Sequence, residues 1–354
     1  MKIVLLGANG QVASEVAILL HGLPGVEVVP VSRTRNGSAF LRSRGVPVMH
    51  GSITDSVQAR ILLSGAGVVA NFALASGLGR TIVDANHSII QASIDHAEPT
   101  ARIVFFSTLA IHGIFGPRGE RTQNAYGDLK LRNEKYFTRA VARSGNLGFI
   151  LRLGHVCGEE QNITHLIRSE IASGDVLIDD LERASNTTHV VAIAEALLAI
   201  AEGRAKTAGR YDLVNQPQWS WRQVYEYESL KTGRTLVIRR AEVAQIGRQP
   251  LLRRAMSSVL TAVDRIGIKP VLERVLPYLP TAVVERIKLN HSIKAARQEI
   301  AALTPPAVLS NTASWWPALD IEPLPGVRNT QQLIDEGSFL RKPPAPPWPR
   351  DQHS

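Results

Sequence analysis

The chain has 354 residues, 44% hydrophobic and 20% charged, with 27 Gly and 20 Pro, which is the composition of an ordinary globular protein and excludes collagen-like and wholly disordered classes. A single cysteine, Cys157, excludes an intramolecular disulfide framework and suits a reducing compartment, so a cytoplasmic address is expected. The formal charge of +9 is unevenly placed, because Arg239 to Ile300 carries twelve Lys/Arg against five Asp/Glu. That placement favours a local anionic partner such as a membrane surface over a nucleic acid, and zinc-finger, RNA-binding and basic heptad patterns are all missing.

The opening MKIVLLGANG sets a Gly-rich turn directly after apolar positions, which predicts structure here and not a signal peptide. Short apolar runs alternating with helical patterns then predict parallel strands near Ile3–Leu6, Val26–Val31, Val46–Met49, Val68–Asn71, Ile103–Ser107 and Phe149–Leu153. Beyond Gly154 the pattern is mixed, with a helix over Val190–Glu202, a strand at Tyr211–Val214 and a helix starting near Trp221. From Pro250 the pattern turns helical: Leu252, Met256, Val259, Val263 and Ile266 share a face, and a second candidate helix runs from Thr281 to Leu303. Five prolines between Pro343 and Pro349 predict an extended or disordered tail. The fold class is therefore α/β, a Rossmann-type doubly wound parallel sheet with a smaller substrate lobe and a mainly helical C-terminal extension. The predicted division is 1–153 for dinucleotide binding, 154–235 for the substrate lobe with elements returning to the sheet, 236–330 for a basic helical extension and 331–354 for the tail.

Gly7-Ala8-Asn9-Gly10-Gln11-Val12-Ala13 follows the first strand and opens a helix, giving the spacing GxxGxxA. Gly7 permits the tight turn, Gly10 admits a pyrophosphate to the backbone, and Ala13 allows close packing of helix on sheet. Gly7, Asn9, Gly10, Gln11 and Val12 are thus candidate cofactor contacts. After the second strand the sequence reads Val31-Ser32-Arg33-Thr34-Arg35, without the carboxylate that usually takes an NAD ribose diol. Arg33 or Arg35 would instead pair with a 2′-phosphate, which favours NADP over NAD.

Tyr126-Gly127-Asp128-Leu129-Lys130 puts a phenol and an ammonium four residues apart on one helix face, where the cation favours the phenolate and can also hydrogen-bond a nicotinamide ribose, making Tyr126 and Lys130 candidate cofactor contacts as well. Upstream, Ser107 and Thr108 end a predicted strand, at the sheet edge where open α/β folds bind ligands. In this order, with Asn86, Gly113, Glu134, Leu151-Arg152-Leu153-Gly154, His189-Val190 and Tyr211 to Asn215, the set resembles the extended short-chain dehydrogenase/reductase superfamily over about residues 1–235. The branch it resembles is the NAD-dependent epimerases and dehydratases.

The resemblance implies Thr108 as the hydroxyl that orients the substrate oxygen, Ser107 as its possible deputy, Tyr126 as acid/base and Lys130 as its partner. It places Asn71 and Ala73 along the cofactor, and His112 and His155 on the substrate side. Departures narrow the chemistry: Leu109 and Ala110 stand where 4,6-dehydratases of the family carry Asp and Glu, and neither moves a proton. The expected function is hydride transfer at a secondary alcohol or ketone of a nucleotide sugar, as a 4-epimerase or ketoreductase and not a 4,6-dehydratase. The alternatives are an NADP-dependent reductase of a non-sugar ketone, or a redox sensor that binds dinucleotide without turnover. A homodimer is expected, no metal is, and the basic region Arg239 to Leu303 adds peripheral contact with anionic membrane as a further expectation.

Overall fold

The computed structural model describes residues 1–75, 80–115, 121–122, 125–173, 176–177, 181–239 and 321–339. The candidate helices between 250 and 303 and the proline-rich end lie outside the described residues.

The centre is a seven-stranded sheet in which every pairing is parallel. Its strands are β1 (Lys2–Leu6), β2 (Glu27–Ser32), β3 (Met49–His50), β4 (Val68–Asn71), β5 (Arg102–Thr108), β8 (Leu147–Leu153) and β12 (Gly209–Leu213). Their spatial order is β12-β8-β5-β4-β1-β2-β3, so the winding reverses between β1 and β4. That reversal opens a crevice outside the carboxyl ends of the strands, the usual ligand position in such sheets. Inner strands are covered on both faces, which is why they read as continuous apolar runs. Period-two alternation divides them: Ile3 and Leu5 join one core with α1 (Gln11–Leu20) and α7 (Val190–Ala201), while Val4 and Leu6 join the other. The second core is completed by α3 (Ser56–Leu63), α4 (Arg80–Asp95) and α5 (Ala125–Ser144), through side chains such as Leu62, Ile90 and Phe137.

One strand differs from the sequence expectation. The run Val46–Met49 pairs only from Met49, because the short α2 (Ala39–Ser43) is followed by a turn in which Val46 N bonds back to Leu41 O.

The smaller lobe comprises β9 (His155–Cys157), α6 (Asn162–Ser173), β10 (Val176–Leu177), β11 (Thr187–His189), α8 (Trp221–Thr232) and β13 (Ile238–Arg239). Its core includes Cys157, Ile167, Ile171, Trp219, Trp221, Val224 and Tyr225, so the two described tryptophans are packing residues. The start of α8 is fixed by a capping box: Ser220 Oγ accepts from Gln223 N, and Gln223 Oε1 accepts from Ser220 N. Two further short strands, β6 (Ile114–Phe115) and β7 (Arg121–Thr122), form a hairpin after β5.

Residues 321–339 correct the expected helical extension and tail at their junction. The chain from 321 runs extended beside β12, with Asp212 N donating to Glu322 O at 2.8 Å, and then forms α9 (Thr330–Asp335). Leu324, Leu333 and Phe339 join the core under α7, which explains why that helix is apolar on every side. Its one acid, Glu195, is fully buried and is held by Arg328 Nη2 at 2.8 Å, Arg328 Nε at 3.0 Å and Arg204 Nη1 at 2.9 Å. Arg328→Met leaves this buried carboxylate with one arginine instead of two, and is expected to cost about 2 kcal/mol in a denaturant melt. Faster proteolysis within 321–339 should accompany the loss.

Candidate active site

The site starts at the turn between β1 and α1. Gly7 has φ +77°, and a Cβ there would sit 2.7 Å from Ala73 Cα, so both conformation and the neighbouring chain require glycine. Ala73 is fixed in turn by Asn71, whose Oδ1 accepts from Ala73 N at 3.0 Å. Gly10 caps α1 with no side-chain hydrogen bond, which leaves the first amides of the helix to an outside acceptor. A cleft of about 540 Å³ opens here, lined among others by Gly7, Asn9, Gly10, Arg33, Ser52 and Ala73. The shape and donor set fit the adenosine and pyrophosphate part of a dinucleotide.

The sequence-predicted contacts separate at this point. Gly7, Asn9, Gly10, Arg33 and Ala73 line the cleft, whereas Arg35 and Asn71 do not. The Arg35 carbonyl accepts from Ser38 Oγ and Arg42 Nη2, folding the loop after β2. Gln11 sends its side chain to Asn162 Oδ1 at 2.8 Å and Val12 packs against the core, so both face a ligand through backbone amides only. The β3 side of the cleft, Gly51 to Thr54, was not among the sequence-predicted contacts.

The second half of the site lies at the end of β5. Thr108 Oγ1 accepts from Ala110 N at 3.2 Å and caps the single turn Leu109–His112, leaving its own proton to donate. Ser107 is 4% exposed and its Oγ has no partner among the described residues. Ser107 is buried and Thr108 half-buried, so of the two hydroxyls Thr108 is the more open to a substrate. The helix α5 approaches this turn at Gly127, where a Cβ would overlap Ala110 O and lie 2.9 Å from its carbonyl carbon.

Tyr126, beside that contact, is 40% exposed. Lys130, one turn on, is buried and donates to Phe106 O at 2.8 Å, with its nitrogen 5.1 Å from the Phe105 ring and 6.0 Å from the Tyr126 ring. Burial pushes the Lys130 ammonium down to about 8, against an upward pull from Glu134. Glu134 itself is held by Arg152, which bonds it in a two-pronged pair at 3.1 and 2.9 Å and reaches Asp212 at 3.7 Å. The row Ser107, Arg152, Asp212 follows the register of three adjacent strands. It ties the root of α5 to the sheet.

On the substrate side His112 closes the turn after Thr108 and is half-buried. His155 opens β9, its ring 5.7 Å from that of Trp221, and burial pushes it down to about 4. His189, which the sequence marked only through resemblance, accepts from Val191 N as the cap of α7 and is also pushed down to about 4 by burial. Both rings are therefore neutral near pH 7 and act as hydrogen-bonding groups. Cys157 is buried and its thiol is pushed far up, which makes it unreactive.

A reversed parallel sheet, a glycine turn at its switch point and a Thr, Tyr, Lys set at its carboxyl edge define a Rossmann-type protein of the extended short-chain dehydrogenase/reductase class. The chain belongs to the NAD dependent epimerase/dehydratase family, whose profile matches residues 3–213. Among solved structures it is similar to UDP-glucuronic acid 4-epimerase from Bacillus cereus in complex with NAD, at 17% identity and TM-score 0.52 over 68% of this chain and 85% of that one. It is also similar to dTDP-glucose 4,6-dehydratase from Bacillus anthracis in complex with NAD, at 16% identity and TM-score 0.51 over 68% and 84%. At these identities the likeness establishes the fold. No curated protein matches the sequence.

Proposed function

We propose that the protein is an NAD(P)-dependent enzyme that moves hydride at a secondary alcohol or ketone of a nucleotide sugar, as a 4-epimerase or ketoreductase. The observation that carries this reading is the anchoring of buried Lys130 on Phe106 O beside partly exposed Tyr126, with Gly127 seating the same helix against the Thr108 turn. Tyr126 exchanges a proton with the substrate oxygen, Lys130 favours the phenolate, and Thr108 donates to that oxygen and orients it. The nicotinamide, when bound, supplies the hydride acceptor or donor. Leu109 is fully buried and Ala110 has no ionisable group, so the proton transfers of a 4,6-elimination find no carrier at these positions.

The place of Arg33 on the cleft supports NADP over NAD, and with it a reductase over an epimerase that retains its cofactor. Arg33→Ala is expected to weaken NADPH about tenfold and NADH by less than about twofold, as measured by fluorescence titration. Equal losses for both would assign Arg33 to packing. The first experiment on function is to denature the purified protein and identify any released nucleotide by mass, then titrate the emptied protein with NADPH and NADH. Retained NAD supports the epimerase, an empty protein preferring NADPH supports the reductase, and binding of neither removes the dinucleotide enzyme altogether.

A further inference from the structure

Glu15 lies on α1, one turn beyond the residues that face the cofactor cleft, and is 6% exposed. A buried carboxylate is ordinarily paired with a cation. None of the described salt bridges includes Glu15. Its oxygens instead accept from a single loop, from Glu159 N at 2.6 Å, Glu160 N at 3.2 Å and Gln161 Nε2 at 2.7 Å. Gly158 lets the loop wrap this closely, since a Cβ there would come 2.6 Å from both carboxylate oxygens.

The contact is doubled at the start of the helix. Gln11 donates to Asn162 Oδ1 at 2.8 Å, and Gln11 O accepts from Gln161 Nε2 at 3.2 Å. The loop connects β9 to α6, and His155 is the first residue of β9. One end of this joint therefore rests on the helix whose N-terminus faces the cofactor cleft, and the other holds the strand that carries a candidate substrate-side histidine. Gly158 N and the Glu159 carboxylate are tied elsewhere within the lobe, to Thr164 and to Arg168 and Lys231, so the loop is fastened to α6 and α8.

We propose that Glu15 is a positioning residue, whose carboxylate couples an occupied cofactor cleft to the setting of β9 and His155, so that bound dinucleotide tightens the substrate side. The proposal rests on the dinucleotide reading above. A direct carboxylate link to three donors transmits a shift of α1 to the loop without a change of partner, which gives the two sides a shared coupling free energy. Burial raises the Glu15 carboxyl above the usual range, and the loop donors oppose that rise.

The test is amide hydrogen exchange on the full chain, read by mass spectrometry with and without saturating NADPH or NAD+, in the wild type, Glu15→Ala and Glu15→Gln. In the wild type, bound dinucleotide is expected to slow exchange in the Gly7–Gln11 turn and, by about tenfold, in residues 155–161. Glu15→Ala should keep the first effect and lose the second, while Glu15→Gln, which retains one carbonyl acceptor, should recover part of it. Protection of 155–161 that persists in Glu15→Ala, or that never appears in the wild type although the Gly7–Gln11 turn responds, overturns the proposal. No response anywhere in the wild type overturns the dinucleotide reading instead.

Discussion

Tyr126→Phe is expected to lower kcat by about a thousandfold and leave dinucleotide affinity within about twofold. The phenol oxygen is the only group this substitution removes, and Tyr126 is exposed enough that no core is disturbed. In the proposed mechanism its activator is the Lys130 cation, fixed by the Phe106 carbonyl and desolvated by the core. A lysine whose ammonium is pushed down to about 8 is charged below that pH and neutral above it, so kcat/KM is expected to fall as pH rises through about 8. A loss near the ordinary lysine value of about 10.4 would mean that Lys130 is better solvated than this geometry implies. If the phenylalanine variant remains fully functional in cells, turnover is not what the protein contributes, and the non-catalytic dinucleotide sensor becomes the better account.

Much of this was legible in the sequence because the signals are local. The strand, Gly-rich turn and helix at residues 2–20 sit in one continuous stretch, and the all-apolar inner strands announce burial on both faces. Tyr126 and Lys130 are one helical turn apart, so their common face follows from the helix period alone. What stayed hidden depends on residues distant in the chain. Nothing at Glu195 signals that arginines 204 and 328 will enclose it, although the helix that carries it is predicted over Val190–Glu202. Glu15 reads as a polar position on an amphipathic helix until the loop 158–161 closes over it. Thr108 ranks above Ser107 in the sequence only through the family resemblance, and the physical difference between them, a buried Ser107 beside a half-buried Thr108 that caps Ala110 N, needs the structure. Arg33 and Arg35 were likewise equivalent until the short helical turn after β2 left only Arg33 on the cleft.

Gly127→Ala is expected to lower kcat/KM about a hundredfold while leaving thermal stability nearly unchanged. Within an isolated helix alanine is favoured over glycine by about 1 kcal/mol, so local propensity predicts a gain in α5. The added methyl, however, meets the carbonyl of Ala110, which belongs to the turn capped by Thr108. Backbone cannot yield as a side-chain tip does, so relief comes from moving α5 and the turn apart. That separation carries Tyr126 away from Thr108, and a misplacement of about 1 Å is enough for a hundredfold loss when two groups must reach one oxygen. Lys130, a turn further along and tied to Phe106 O, shifts less, so cofactor affinity is expected to change little. Steady-state kinetics with a dinucleotide titration and a melt on the same sample separate these effects. An unchanged kcat/KM would show that Thr108 and Tyr126 do not act on the same substrate atom, and would return the choice of orienting hydroxyl to Ser107.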